Sequence, residues 1–229
     1  MGSDAVDPRW PRLLSLTVHE FRTPLTVVAG YLRMLLKDRA GPVSEQQRRL
    51  LEEAEKSCQR LSAILSEVSD LSGLEAGTAA FNRSSLELTS LLADVVTTLP
   101  ELPDRRICVD LQVEPGDAVI SGDAARLKAA LTAVVMALRR ELVTSDRLVM
   151  RQLARSIDRR AVQWVAIGDA DRIDELARAE RHALTAFDEW RGGCGLSLAV
   201  ARRVIDAHGG HIWSPVQDGK AGAVIALPA

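Results

Sequence analysis

The sequence has no long apolar run and no excess of charge of either sign. Each absence excludes a class of function. No stretch approaches the roughly 18 to 20 apolar residues that a membrane-spanning helix needs, and the N-terminus lacks the apolar core of a signal peptide. Its 29 lysines and arginines balance 31 aspartates and glutamates, without a basic block. We therefore expect a cytoplasmic protein, or the soluble part of a larger one, that contacts neither nucleic acid nor membrane directly.

Cysteine is scarce, and the chain has no internal repeat and no low-complexity tract. Its three cysteines, Cys58, Cys108 and Cys194, form an odd set without the spacing of metal ligands. Isolated cysteines of this kind are typical of a reducing compartment, where they serve as small buried apolar residues. We expect neither a disulfide nor a zinc site.

The first part of the chain carries the pattern of a long amphipathic helix. Its apolar residues recur at alternating steps of four and three, at Leu14, Val18, Phe21, Leu25, Val28, Leu32 and Leu35. Asp7 before Pro8 predicts the start of this helix, and the stretch 40–42 (Ala-Gly-Pro) predicts its end.

A second helix follows after a short connection. Ser44 and Gln47 have the spacing of a capping box, which predicts its start. Its apolar seam continues through Leu51, Ala54, Cys58, Leu61, Leu65 and Val68. The short connection predicts an antiparallel hairpin. Because two helices alone cannot bury both seams, we expect a homodimer that forms a four-helix bundle.

The pattern changes after Gly77, so we predict a dimerisation domain over residues 1–77 and a second domain over residues 78–229. Helices are predicted at 86–99, 123–142 and 196–207. Strands are predicted at 106–113, 147–158, 161–167, 211–214 and 223–227, with a polar helical or loop segment up to Trp190. The order predicts an α+β fold class: a helical hairpin followed by an α/β sandwich with a mixed sheet.

One stretch of the first helix, VHEFRTPL, places three polar groups on its outer face. His19 follows the seam position Val18, Thr23 lies one turn further along, and Glu20 is within reach of Thr23. An imidazole can attack a phosphoryl group when a neighbouring carboxylate takes or orients the proton on its other nitrogen. Alternatively, His19 is a solvated surface histidine, or Thr23 is the N-cap of a separate helix that begins at Pro24.

Three stretches resemble motifs of the sensor histidine kinases, the transmitter proteins of two-component signalling. SLTVHEFRTPL, at 15–25, resembles their phospho-acceptor box. LSGLEAG followed by LELTSLLADVV is similar to the exit from their dimerisation bundle, and GGCGLSLAVARRVIDAHGG, at 192–210, is similar to the last glycine-rich box of their ATP-binding domain. The resemblance covers nearly the whole chain. It implies that His19 is phosphorylated, that Glu20 is its acid/base partner and that Thr23 assists phosphatase chemistry.

The second domain contains a predicted nucleotide site. Gly192, Gly193 and Gly195 precede a predicted helix, where backbone N–H groups and the helix N-terminus could receive a phosphate; the alternative is a flexible loop. The resemblance implies that Asp169 hydrogen-bonds the adenine amino group and that Arg140 matches a basic residue of the family's site. The cofactors that it implies are ATP and Mg²⁺.

The predicted site departs from the family at its metal ligands. The two asparagines that line the family's nucleotide fall on Ala133 and Ala137, and alanine cannot coordinate Mg²⁺. Glu141, one turn beyond Ala137, is the remaining candidate ligand. The family's glycines after the aspartate are also missing here, from Asp171 onward, which puts bulk and charge beside the nucleotide. Because Mg²⁺ neutralises charge in phosphoryl transfer, we expect catalysis with ATP to be severely impaired.

Two further segments flank this site. Residues 171–190 correspond to the family's flexible lid over the nucleotide, in a shortened form, and Phe187 and Trp190 are expected to pack as core residues. The run from His208 through Gly209 to Gly210 is interpreted as a helix stop, with glycine after the last turn, and not as a ligand site.

Three functions remain open. The first is a transmitter that binds ATP, phosphorylates His19 and exchanges the phosphoryl group with an aspartate of a response-regulator receiver domain. The second is a pseudokinase that receives the group from a partner through His19, dephosphorylates a regulator through Thr23, or only binds it. The third is a dimeric scaffold without this chemistry. We expect a regulator to dock on the exposed face of the first helix, including Tyr31.

Overall fold

The computed structural model describes residues 9–102, 105–142, 145–157, 159–216 and 221–229. The chain forms two compact units, and the division between Ala79 and Ala80 falls close to the boundary predicted at Gly77. The first unit contains a helical hairpin and the second a mixed sheet with helices, so the predicted α+β fold class is confirmed. Asp7 and Pro8, predicted to begin the first helix, lie outside the described residues.

The first unit is a hairpin of two long helices, α1 (Trp10–Leu36) and α2 (Glu45–Glu75). The predicted capping box precedes α2. The Ser44 hydroxyl accepts from the backbone N–H of Gln47 at 3.2 Å, and the Gln47 side chain accepts from the backbone N–H of Ser44 at 2.8 Å. Two otherwise unpaired N–H groups are thereby satisfied, so α2 begins where the sequence predicts.

The two helices pack along their seams, but the hairpin covers those seams only in part. Val18 and Cys58 are buried, and the Ser72 hydroxyl donates a 2.6 Å hydrogen bond to the carbonyl of Pro11, which ties the end of α2 to the start of α1. Many apolar side chains of the hairpin remain exposed: Trp10, Leu13, Leu16, Phe21, Val27, Val28, Tyr31, Met34, Leu50, Leu61 and Ile64. Packing within one hairpin therefore leaves a large apolar surface open to water.

The second unit is built on a six-stranded mixed sheet. Its helices are α3 (Leu88–Thr97), α4 (Ala124–Glu141), α5 (Ile173–Arg178) and α6 (Ser197–Ala207). Its strands are β1 (Ser84–Glu87), β2 (Cys108–Val113), β3 (Val119–Gly122), β4 (Arg147–Ile157), β5 (Arg160–Asp169), β6 (Leu184–Ala186), β7 (His211–Pro215) and β8 (Gly222–Pro228). The sheet order is β2-β4-β5-β8-β7-β6, with β2 parallel to β4 and the other neighbours antiparallel, while β1 and β3 form a separate antiparallel pair.

Both faces of the large sheet are covered. On β5, Trp164 and Ala166 point to one face, where they form a core with Leu176 of α5. Val165 and Ile167 alternate with them and are also fully buried, which places them on the face that carries the longer helices of the unit. The near-continuous apolar run of β5 follows from this burial on both sides.

Two glycines let α5 lie close against the sheet. Gly168 and Gly222 are opposite each other on β5 and β8. A Cβ atom added to Gly168 would lie 2.4 Å from Cδ1 of Leu176, and one added to Gly222 would lie 3.2 Å from the same atom. The absence of side chains at this pair therefore creates the space that the leucine fills.

The end of α6 is the predicted helix stop. Gly209 has a left-handed φ of +73°, and the N–H of Gly210 donates to the carbonyl of Ile205 at 3.0 Å. His208 is buried and has a structural role, since its Nε2 accepts from the backbone N–H of Asp123 at 2.9 Å. That bond joins the end of α6 to the residue that caps α4.

Several local expectations were wrong. The predicted helix at 86–99 begins later, because Leu86 pairs with Ile120 in the small sheet and Glu87 caps α3. Strands β1, β3 and β6 were not predicted, since each has only three or four residues. Cys108 is exposed rather than buried, because it begins an edge strand. Asp158, predicted as the last residue of a strand, lies outside the described residues.

Glu87 makes the stability of the second unit depend on pH. Its carboxylate accepts from the backbone N–H groups of Ser90 at 2.5 Å and Thr89 at 3.0 Å. The hydrogen bonds from Ser90, and then those from Thr89, lower the pKa of Glu87 from 4.5 to about 2. Because the folded pKa is the lower one, the charged cap stabilises the fold above pH 4.5, and this contribution is lost as the pH falls toward 2.

We expect Glu87→Gln to remove part of this acid sensitivity. At neutral pH the variant should be less stable than the wild type, because a neutral amide is a weaker cap at a helix N-terminus. The difference should shrink as the pH is lowered from 4.5 to about 2. Urea unfolding at a series of pH values measures it, and a constant difference across that range would contradict the prediction.

Candidate functional site

The predicted phospho-acceptor patch, His19, Glu20 and Thr23, lies on one continuous helix. α1 runs unbroken through Pro24, and its N-cap is Arg9, so Thr23 does not cap a separate helix. His19, Glu20 and Thr23 are exposed. Among the described residues, none forms a side-chain hydrogen bond or an ion pair with any of the three. The patch is therefore open to a reaction partner.

The patch can perform nucleophilic and acid–base chemistry. His19 follows the buried Val18, which anchors this turn of α1 in the hairpin while the imidazole faces water. Glu20 is the adjacent carboxylate, and the Thr23 hydroxyl lies one helical turn from His19 on the same side. An imidazole, a carboxylate and a hydroxyl at one exposed position are suited to transfer of a group that approaches from solvent.

The second candidate region lies at the end of β5. Asp169 is buried, and its carboxylate accepts from the backbone N–H of Asp171 at 3.3 Å. The N–H of Arg172 donates to the carbonyl of Asp169 at 2.9 Å, and α5 begins at the next residue. The chain thus turns directly from the strand into a helix, where the family pattern has glycines.

Helix α4 borders the same region and is apolar at the two key positions. Ala133 is half-buried, and Ala137 is only 1% exposed, packed among the core leucines of the helix. Neither offers a metal ligand. The described residues contain no group of three or more His, Cys, Asp or Glu side chains arranged to hold a metal ion.

Arg140, near the end of α4, contacts the glycine-rich segment. Arg140 Nη1 donates to the carbonyl of Gly193 at 3.5 Å and lies 3.6 Å from the Sγ atom of Cys194. Gly193 and Gly195 have left-handed φ values of +58° and +63°, which glycine adopts readily. Gly192 lies in the short 3₁₀ turn that Gly193 ends. The predicted site residues Arg140, Gly192, Gly193 and Gly195 are therefore close together.

The structure places an unpredicted residue, Arg191, at the centre of this region. Its Nε lies 2.9 Å from both carboxylate oxygens of Glu141, and its Nη2 donates to the same carboxylate. Its Nη1 donates to the Ser214 hydroxyl and to the carbonyl of Gly222, each at 3.2 Å. Sequence reasoning missed Arg191, and its position next to the glycine cluster was the only available signal.

The segment predicted as a flexible lid has a different structure. Its N-terminal part forms α5 on the sheet, and β6 pairs antiparallel with β7 at the sheet edge. Phe187 is buried, as expected, but Trp190 is 74% exposed, so the expectation of core packing was wrong for it. Trp190 lies in a turn that its N–H closes by donating to the Asp188 carboxylate, and this turn points it to solvent.

Comparison with known proteins agrees with this division into an acceptor hairpin and an α/β unit. Residues 12–77 match the His Kinase A (phospho-acceptor) domain. The chain is 29% identical over 205 residues to the circadian input-output histidine kinase CikA of Synechococcus elongatus, covering 87% of this chain and 27% of CikA. It is 32% identical over 204 residues to the signal transduction histidine-protein kinase BarA of Escherichia coli, covering 85% of this chain and 22% of BarA.

Solved structures show the same fold. Full-length ShkA in complex with AMPPNP superimposes with a TM-score of 0.69 at 22% identity, covering 96% of this chain and 46% of ShkA. The Acinetobacter baumannii histidine kinase AdeS gives a TM-score of 0.56 at 19% identity, covering 92% of this chain and 97% of that chain.

A phospho-acceptor hairpin followed by an α/β domain of this fold defines a transmitter module of two-component signalling. Residues 12–77 belong to the His Kinase A (phospho-acceptor) family, and the chain as a whole is homologous to sensor histidine kinases. It spans about a quarter of the length of CikA and BarA. Within the part of the chain that the structure describes, no helix is both long and apolar enough to cross a membrane.

Proposed function

We propose that this chain carries a phosphoryl group on the imidazole of His19 and exchanges it with an aspartate of a response-regulator receiver domain. The observation that supports this most is the exposure of His19, Glu20 and Thr23 on an unbroken α1, within the segment that matches the phospho-acceptor family. Residues 1–77 would act as the acceptor and dimerisation domain, and residues 78–229 as an ATPase-like domain.

The three side chains have separate roles in this proposal. A ring nitrogen of His19 forms a bond to phosphorus while the bond from phosphorus to the donor oxygen breaks, and Glu20 takes or orients the proton on the other ring nitrogen. In the forward transfer, an oxygen of the regulator aspartate attacks the same phosphorus and the N–P bond breaks. Thr23 positions a water that hydrolyses the phosphorylated regulator.

The source of the phosphoryl group distinguishes two forms of the function. ATP is the donor in the family, and one structural neighbour is a complex with AMPPNP. The α4 helix argues against ATP as donor here. Mg²⁺ does not fit the residues present, because Ala133 and Ala137 offer no ligand and the Glu141 carboxylate is held by Arg191. This favours a pseudokinase that receives the group from a phosphorylated receiver domain.

The open apolar surface of the hairpin supports a homodimer. Apolar side chains along α1 and α2 would be buried if two hairpins formed a four-helix bundle, and burial of such surface is the main driving force for association. The free cysteines of the described chain are consistent with a reducing, cytoplasmic setting. The third possibility, a dimeric scaffold, requires that His19 never accepts phosphate.

Phosphorylation from two donors tests the proposal. The purified full chain is incubated with labelled Mg-ATP, or with a labelled phosphorylated receiver domain, and scored for acid-labile phosphate. We expect label from the receiver domain. Label from Mg-ATP would identify a working kinase without the usual asparagines, and no label from either donor would contradict phosphoryl transfer through His19.

We expect the regulator to dock beside Tyr31. Tyr31 is 61% exposed and lies three turns beyond His19 on α1, within the footprint of a receiver domain that reaches the imidazole. Tyr31→Glu should slow phosphoryl transfer at low regulator concentration, with little effect at saturation. Arg49→Glu, at an exposed position on α2, is the matched surface control. Equal transfer rates for Tyr31→Glu and the wild type would contradict this docking surface.

A further inference from the structure

The guanidinium of Arg191 joins three elements of the α/β unit. Arg191 precedes the glycine cluster, and its side chain contacts Glu141 on α4, Ser214 on β7 and Gly222 on β8. The Arg191 side chain is 14% exposed and that of Glu141 is 22% exposed. These contacts use Nε and both terminal nitrogens of the guanidinium, so the side chain is held in one position.

This position is the cleft in which the resemblance places a nucleotide. Trp213 lies on the sheet face that α5 covers. Ser214 alternates with Trp213 along β7 and therefore faces the opposite side, as Asp169 does on β5. Gly222 is paired across the sheet with Gly168, the neighbour of Asp169. The guanidinium thus lies between the end of α4 and the strand ends beside Asp169.

The adjacent residue of α4 closes the same cleft. Arg140 contacts the carbonyl of Gly193 and the thiol of Cys194, and the Ser197 hydroxyl donates to the carbonyl of Cys194 at 2.7 Å. The glycine-rich segment is therefore held against α4 at two points, by Arg140 at Gly193 and by Glu141 at Arg191. The backbone N–H of Ser197 also donates to the carbonyl of Cys194, at 3.4 Å, so a phosphate would have to displace that bond before this N–H could receive it.

We propose that the Arg191–Glu141 ion pair is an internal latch that occupies the nucleotide cleft and excludes nucleotide from it. In this proposal the ion pair fills the space between the end of α4 and the strand ends, and Glu141 neutralises the guanidinium that would otherwise attract a polyphosphate. Displacing either side chain would leave a charge without its partner in a largely buried site, which is unfavourable. The inference concerns the α/β unit alone and does not depend on phosphorylation of His19.

Removing the latch should open the cleft. The probe is ADP carrying a fluorescent ribose label, titrated into the full chain with Mg²⁺ or with EDTA. We expect no saturable signal from the wild type, which sets a lower limit on its dissociation constant. The double variant Arg191→Ala/Glu141→Ala should bind with a dissociation constant at least about tenfold below that limit. Because the double variant lacks Glu141, the remaining candidate for the metal ligand on α4, EDTA should leave its affinity unchanged.

A matched control separates the latch from general loosening of the unit. Arg151 is another partly buried arginine with a carboxylate partner, Asp174, but it lies on the sheet face that α5 covers. Arg151→Ala should bind the probe no better than the wild type. The latch is overturned if the double variant and the wild type bind equally, including the case in which neither binds, or if Arg151→Ala gains as much as the double variant.

A second variant keeps the test decisive if the double variant does not fold. Glu141→Gln retains the size of the side chain and the bonds from Arg191 to Ser214 and Gly222, but it removes the charge that holds the guanidinium. It should bind the probe more tightly than the wild type. An unchanged affinity in folded Glu141→Gln would also overturn the latch.

Discussion

Replacing His19 with glutamine should abolish acid-labile phosphorylation of the chain by every donor. Phosphohistidine requires an imidazole nitrogen, and the amide of glutamine keeps polarity and approximate size without a nucleophilic nitrogen. His19 is the only histidine in residues 1–79, since His182, His208 and His211 belong to the α/β unit. No neighbouring imidazole can therefore replace it. Label retained in His19→Gln would place the acceptor elsewhere.

Two variants of the same patch should separate the steps of the reaction. Glu20→Gln removes the proton acceptor beside the imidazole, so phosphorylation of His19 should slow by roughly 10² to 10⁴-fold while the fold is unchanged. Thr23→Ala should leave phosphorylation of His19 intact and slow only dephosphorylation of the regulator. Circular dichroism checks that α1 is unaffected. If Thr23→Ala also removes labelling, the hydroxyl acts in phosphorylation as well, contrary to the proposal.

Substituting alanine for Gly210 should strongly destabilise the α/β unit. A Cβ atom at this position would lie 2.6 Å from the carbonyl oxygen of Ala226, 2.8 Å from Leu227 Cδ2 and 3.1 Å from Ile205 Cγ2. The first contact is with backbone in the middle of β8, which cannot move without disturbing the sheet. We expect a loss of about 3 kcal/mol in the free energy of unfolding, at the upper end of overpacking costs.

The neighbouring glycine provides the control for Gly210→Ala. Gly209 has a left-handed φ of +73°, and a Cβ atom there would meet only Pro228 Cγ, at 3.4 Å. Asparagine tolerates this backbone conformation, so Gly209→Asn should cost about 1 kcal/mol or less. Urea unfolding of the α/β unit measures both. Similar losses for the two variants would contradict the close approach to β8 as the reason for the requirement at Gly210.

The hairpin, and the exposed helical position of the predicted acceptor patch, were accessible to sequence reasoning because their determinants are close together along the chain. Each helix repeats its apolar residues every three or four positions, and the capping box spans only Ser44 to Gln47. The patch from His19 to Thr23 occupies little more than one turn of a helix. Such features do not depend on contacts with residues that are distant in the sequence.

Short strands and solvent exposure were less predictable. Strand β6 has three residues, too few for an alternating pattern, and it exists because β7 offers an edge for pairing. Trp190 is a large apolar residue of a kind that is usually buried, yet it lies among Asp188, Glu189 and Arg191, and a turn closed by Asp188 directs it to water. A distant strand therefore decided the structure of β6, whereas a local turn decided the exposure of Trp190.

The proposed nucleotide cleft depends on contacts between residues that are far apart in the sequence. Periodicity, caps and contiguous motifs were enough to establish the hairpin, the mixed sheet and the resemblance to sensor histidine kinases, and counting residues was enough to find Ala133 and Ala137. The state of the cleft depended on the packing of the whole α/β unit. Arg191 and Glu141 are 50 residues apart, and folding alone brings α4, the glycine cluster and the ends of β7 and β8 around one ion pair.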